Sequence, residues 1–213
     1  MRKRGLSSCR DCGRSFLITQ FELGQPGWAT EELQQLPEYL PDIQGRMDAV
    51  IRFSRLNIEF GTGGPFAAGV FETLSGRLVT IGVNRVVHHQ CSSAHAEVMA
   101  LSLAQQILGS FDLGADDMAE HQLVVNWRPC AMCYGALVWS GVRSLVVAGS
   151  GPELEEITGF DEGPIHPDWV GQLEHRGIVV TDGVRTDAAI QVFEQFRDSG
   201  ALVYNGRQGD SIV

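Results

Sequence analysis

From Ile43 to Phe60 the apolar residues Ile43, Met47, Val50, Ile51 and Ile58 recur at helical spacing. The glycine-rich GTGG that follows ends this predicted helix. PFAAGVFET (65–73) and RLVTIGVN (77–84) then read as two strands joined by a tight turn at LSGR. AHAEVMALSLAQQILG (94–109) is a run of good helix formers closed by Gly109. HQLVVNW (121–127) reads as a strand and CAMCYGALVWSG (130–141) as a helix, with Pro129 at or near its first position. RSLVVAGS (143–150) is another strand. A long Gly/Pro/acidic connection at 150–166 follows, with one helical turn in PELEEITG. PDWVGQLEHRG (167–177), IVVTDG (178–183) and RTDAAIQVFEQFRDSG (185–200) complete the series as helix, strand and helix.

Strands and helices alternate, which predicts an α/β layered domain. The last three strands each follow a helical crossover and are expected to be parallel, whereas the first two form a hairpin, so the sheet is mixed. In such sheets ligands bind beyond the strand C-termini, beside helix N-termini. AHAE (94–97) and RPCAMC (128–133) both stand at strand-to-helix junctions and are expected to face one pocket. Residues 1–43 are a largely irregular extension, with a short helix expected to start at Thr30 in TEELQQLPEYL.

A length of 213 residues suits one domain with a sizeable core. No run of about 18 apolar residues predicts a membrane span. The basic start is followed by too short and too interrupted an apolar stretch for a secretion signal, so a cytoplasmic location is expected. Residues 1–14 carry five basic side chains against one acidic one, leaving −14 on the rest of a chain whose total is −10. A body this acidic disfavours nucleic-acid substrates. Lys3 is the only lysine, which argues against Schiff-base chemistry.

Five cysteines, an odd number, include two C-x-x-C pairs, Cys9/Cys12 and Cys130/Cys133. In a reducing compartment such pairs suggest metal or redox chemistry before structural disulfides. Cys130 and Cys133 share one helical face, about 5–6 Å apart at Cβ. That suits two thiolates on one zinc ion, and a helix N-terminus favours the thiolate form. A redox disulfide or half of a structural zinc site has the same spacing. His95 favours the catalytic reading, because two thiolates and an imidazole make a three-ligand site open to water. Glu97 is then the carboxylate available to move the water's proton. Residues i and i+2 diverge by about 200° on a regular helix, so this works only if His95 precedes the regular turns.

H-x-E followed by P-C-x-x-C is the pattern of zinc deaminases acting on nucleobase rings. From about Gln44 to Arg207 the chain resembles the cytidine deaminase-like superfamily, and within it the bacterial guanine deaminases. GGPFAAGVF, NRVV, HAEVMALSLA, PCAMCYGALVWSGV, GFDEGP and GALVYNGR carry the resemblance. It implies a three-layer α/β/α sandwich around a mixed five-stranded sheet. It also implies one zinc per subunit on His95, Cys130 and Cys133, with Glu97 as proton shuttle. Asn84 would bond the purine ring and Phe66 would stack on it. Ala96 and Phe160 would also contact the base. Glu162 would contact it too and serve as a second proton-transfer group. A homodimer is implied in which the C-terminal segment (about 199–213), bearing Tyr204, closes the neighbour's pocket. Guanine is the expected substrate. Cytosine, nucleosides and aminated triazines are alternatives for the same machinery, and a transfer-RNA adenosine or a non-catalytic zinc module fits less well. One departure is clear: Trp127 and Arg128 precede Pro129, where the superfamily commonly has a glutamate next to the proline.

Several residues have plainer readings. Trp139 is expected in the core and Cys91 as a small buried residue. His88 and His89 are expected in an exposed loop, and Cys9 and Cys12 in a flexible tail.

Overall fold

The computed structural model describes residues 20–206, so Cys9, Cys12 and Lys3 lie outside the described residues. The first element is α1 (Gly27–Gln35), which starts three residues before Thr30. Pro26 stands at its N-cap and Thr30 lies inside it, exposed, so the predicted start is corrected. Ala29 is buried, and Trp28 stacks on Phe60 at 5.5 Å between ring centroids, which docks α1 on the following helix.

That helix, α2 (Ile43–Glu59), begins at Asp42, whose carboxylate accepts from the backbone N–H groups of Gln44 and Gly45. Met47, Val50, Ile51, Ser54 and Asn57 form its buried stripe. The hairpin β1 (Ala67–Glu72) and β2 (Leu78–Val83) comes next, with a register shift between Val70 and Phe71. A short α3 (Val86–His89) stands where a loop was expected. The rest of the described chain is α4 (Ala96–Leu108), β3 (His121–Val125), α5 (Ala131–Ser140), β4 (Ser144–Val147), α6 (Glu153–Thr158), α7 (Trp169–Glu174), β5 (Val179–Thr181) and α8 (Thr186–Ser199).

The strands form one five-stranded sheet in the order β2-β1-β3-β4-β5. β1 is antiparallel to both its neighbours, while β3, β4 and β5 are mutually parallel. The mixed sheet expected from the crossovers is therefore present, and four strands point their C-terminal ends the same way. Alternate residues feed opposite faces. Phe71, Val124 and Val146 join α2 and α8 on one side. Val70, Leu123, Val125, Leu145 and Val147 join α4, α5 and α7 on the other. The result is the three-layer α/β/α arrangement.

α4 lies directly on β2. A Cβ at Gly82 would stand 2.4 Å from the Ala100 backbone nitrogen and 2.7 Å from the Ala96 carbonyl oxygen. Glycine permits this approach. Trp139 is not in the core: it is 87% exposed. The inward residues of α5 are Cys133, Leu137 and Ser140, and a residue two beyond Leu137 is turned outward.

Candidate active site

Two helix N-termini meet beyond the ends of β2 and β3. His95 is the N-cap of α4, in extended backbone with φ −70° and ψ 155°. It therefore stands outside the regular helix, and this lets it share a site with Glu97 in the first turn. Cys130 is likewise the N-cap of α5, which puts Pro129 one residue before the cap rather than in the first turn. The Cys130 sulfur accepts from the Cys133 backbone N–H at 3.5 Å and lies 3.6 Å from Nδ1 of His95. One ligand atom from each of His95, Cys130 and Cys133 lies within 4.8 Å of the other two, the only such cluster among the described residues. A soft S₂N set this close, its two sulfurs buried and its imidazole half-buried, fits a tetrahedral zinc ion with one position left over.

The electrostatics fit the same ion. The Cys133 thiol bonds to the Cys130 sulfur, and with help from His95 this holds Cys130 down to about 4. Cys133 is pushed well up by that same bond and by burial. Each thiol thus feels the other most strongly, as two ligands of one cation would. Burial opposes a charge on His95, but the Cys130 sulfur and the Glu97 carboxylate outweigh it and raise its pKa. Glu97 is buried, and burial first, then the Cys130 charge, raises its pKa. Burial first, then the charges of Cys130 and Glu97, pushes Glu162 up to about 8.

All of these groups except Cys133 line a partly open cavity of about 150 Å³. His95, Glu97 and Cys130 form its floor, and Phe66, Phe160, Glu162 and Tyr204 form its walls and roof. The Phe66 and Phe160 rings meet edge to face at 5.1 Å, and Phe160 lies 4.8 Å from Tyr204. The Tyr204 hydroxyl is buried with no hydrogen-bond partner among the described residues. Its pKa is raised by burial and by the charges of Glu162 and Glu97.

Asn84 and Ala96 are not cavity walls themselves. Asn84 is fully buried beside Phe66, whose carbonyl accepts its backbone N–H, and beside Val86, whose backbone N–H donates to Oδ1 of Asn84. Its Nδ2 has no partner among the described residues and is free to donate. The Ala96 methyl packs into the core on the α4 side of the sheet.

Other site residues were not visible in sequence. Asn126 donates to the Pro65 carbonyl and accepts from the Ala67 N–H, bracketing Phe66. Asn57 donates to the carbonyls of Gly64 and Asn84. Asn205 accepts from the Asp161 N–H and donates to the Gly159 carbonyl, bracketing Phe160. Only position gave a signal for Asn205, as the polar neighbour of Tyr204. Cys91 is partly exposed, with its sulfur on the Ser93 hydroxyl rather than in the core. His88 is exposed, and His89 is half-buried against Gly24. Of the C-terminal segment, Tyr204, Asn205 and Gly206 line the cavity, and residues 207–213 lie outside the described residues.

Residues 49–149 match the family model for the cytidine and deoxycytidylate deaminase zinc-binding region. The chain is 32% identical over 121 residues to the guanine deaminase of Bacillus subtilis (strain 168), covering 57% of this chain and 72% of that one. A solved guanine deaminase structure from Nitrosomonas europaea superimposes with a TM-score of 0.80 at 44% identity, over 85% of this chain and 98% of that one. This chain belongs to the guanine deaminase family. A further structure, solved in complex with 2,6-diaminopurine, is 46% identical with a TM-score of 0.80, over 87% of this chain and 97% of that one. Membership in the guanine deaminase family makes the protein a zinc-dependent hydrolytic deaminase. The matched region contains His95, Glu97, Cys130 and Cys133, whereas Phe160, Glu162 and Tyr204 lie beyond it. Within this guanine deaminase relative, no described helix is long and apolar enough to cross a membrane.

Proposed function

We propose that the protein converts guanine and water to xanthine and ammonia, with zinc held by His95, Cys130 and Cys133. The observation that carries this reading is the pairing of two carboxylates, Glu97 and Glu162, in one aromatic-walled cavity beside a three-ligand metal set. Zinc, when bound, makes water a ready nucleophile at neutral pH. Glu97 takes a proton from that water and passes it to the ring nitrogen next to C2. The water oxygen bonds to C2 as the C=N electron pair moves onto that nitrogen. As the C2–amino bond breaks, the oxygen's electron pair forms the C2 carbonyl and its remaining proton passes to Glu97, which balances the one Glu162 gives up. Glu162, which holds its proton near neutral pH, protonates the leaving amine so that it departs as ammonia.

The remaining roles follow the same plan. Asn84 lies behind the cavity lining beside Phe66, and we assign its unpartnered Nδ2 to an acceptor on the base. Phe66 and Phe160 clasp the ring, Tyr204 closes the roof, and to Ala96, the first residue of α4, we assign a contact with the base through its backbone. A cavity of about 150 Å³ is the size that holds one benzene-sized ring in an engineered core. It favours a free base over a nucleoside or a transfer RNA, and the acidic body agrees. We place the deaminase unit at residue 44 onward, with α1 as a packed addition. We further infer a cytoplasmic role in purine breakdown, consistent with the free thiols of Cys91, Cys130 and Cys133. We also infer a homodimer whose C-terminal segments exchange. The positive-φ Gly200 at the start of the segment is the hinge that redirects it to a partner without rebuilding α8.

Ammonia release from guanine by the zinc-loaded protein tests the reaction. Glu97→Gln should keep one zinc per chain and lose roughly 10²- to 10⁴-fold in turnover. Wild-type protein that carries zinc and releases no ammonia from guanine would refute the substrate.

A further inference from the structure

Arg128 is the residue at which this chain departs from the superfamily pattern, and the chemistry above does not use it. Its guanidinium has a definite partner: Nη2 donates to Oε1 of Glu155 at 2.7 Å. The pair is mostly shielded from water, with the two side chains 18% and 32% exposed. Nε of Arg128 and Oε2 of Glu155 are buried without partners among the described residues. Such a pair loses much of its attraction to desolvation, and its best-attested use is to fix a register. The Arg128 backbone needs no such help, because its N–H already donates to the Gly149 carbonyl.

The register at stake is that of α6 against the Cys130 turn. α6 has six residues, no side-chain cap at its start and a left-handed Gly159 at its end. The stretch that follows carries Phe160 and Glu162. At its far end the Ala131 N–H donates to the Glu162 carbonyl at 3.0 Å. Residues 155–162 are thus tied twice to one short stretch, at Arg128 just before Cys130 and at Ala131 just after it. Phe160 and Glu162 hang over the metal-ligand floor from between or beside these ties.

Arg128 also lines the cavity. We propose that Arg128 and Glu155 are a positioning pair that sets the height of the roof over the metal ligands, so that Arg128 governs how Phe160 and Glu162 meet the substrate. The kinetic part of this inference rests on the guanine reading.

The test compares zinc-loaded wild type with Arg128→Gln, Arg128→Glu, Glu155→Arg and the charge-exchanged double variant. Each single variant should keep one zinc per chain and lose at least tenfold in kcat/KM for guanine. The double variant should recover to within about threefold of wild type. Single variants within twofold of wild type, or a double variant no better than the worse single, would overturn the proposal. Amide hydrogen exchange over residues 153–163 is read in parallel with Arg128→Gln, the mildest change. At least tenfold faster exchange in that segment alone supports the pair, and unchanged exchange refutes it. If wild type fails on guanine, the substrate reading falls and the exchange result still decides the pair.

Discussion

The floor and the roof of the cavity are built on different plans. The floor places His95, Glu97, Cys130 and Cys133 at the N-termini of α4 and α5, two helices bedded on the central sheet. The roof gathers Phe160 and Glu162 from a connecting stretch and Tyr204 and Asn205 from the chain end. It is held by hydrogen bonds and by the packing of Phe160 on Phe66, Phe196 and Tyr204, and it bends at Gly159 and Gly163, whose φ values are 78° and 72°. The metal ligands and the first proton shuttle sit on packed elements, while the second proton-transfer group and the aromatic walls come from connecting segments.

The largest effect should come from breaking the floor. Cys133→Ala removes a buried ligand. Zinc affinity should fall by well over ~100-fold, beyond the loss usual for a supporting residue, and turnover should disappear with the metal. Metal analysis after dialysis checks this. Tyr204→Ala, a roof change, should keep the metal, and equal zinc loss in both variants would erase the distinction drawn here. A smaller effect is expected at the junction of the two regions. Asn84→Ala should lower kcat/KM for guanine by roughly 10- to 100-fold, the worth of one buried hydrogen bond of about 1–3 kcal/mol, with zinc unchanged. Steady-state kinetics with a matched metal assay would show it.

The smallest effect is one of pH. The Glu162 pKa is raised from 4.5 to about 8 by burial first and the Cys130 charge next. Between those values the folded metal-free chain holds a proton that the unfolded chain has lost. Its contribution to stability therefore falls as pH rises through that window. Urea unfolding of metal-free protein from pH 4.5 to 8.5 should show a steeper decline in wild type than in Glu162→Gln. Parallel slopes would mean that Glu162 ionises normally, and that the roof lies open to water.

The same division explains what the sequence could reveal. The strands of the sheet and their directions were legible because the period-2 and period-3.6 patterns were strong and the crossovers left little choice. The floor was legible because its four residues come as two compact motifs, each at a helix start. Phe160, Glu162 and Tyr204 entered only through resemblance to known deaminases, since nothing local marks a loop glutamate or a tail tyrosine as a wall of a site. Asn57, Asn126 and Asn205 were missed because their value lies in backbone groups distant in sequence. Trp139 was misassigned because an apolar residue on a short helix between two strands resembles core, and only the helix phase turns it outward.

One contact extends the floor beyond its own residues. Gly82 has no side chain, touches no ligand and performs no chemistry, yet α4 rests on it at atomic contact through Ala96 and Ala100. Even a methyl group there must lift the helix start that carries His95 and Glu97. A survey of inherited variants scored only by lost activity would then count Gly82 among the reactive residues. Variants scored by metal content and by turnover together would instead sort it with the ligands it supports.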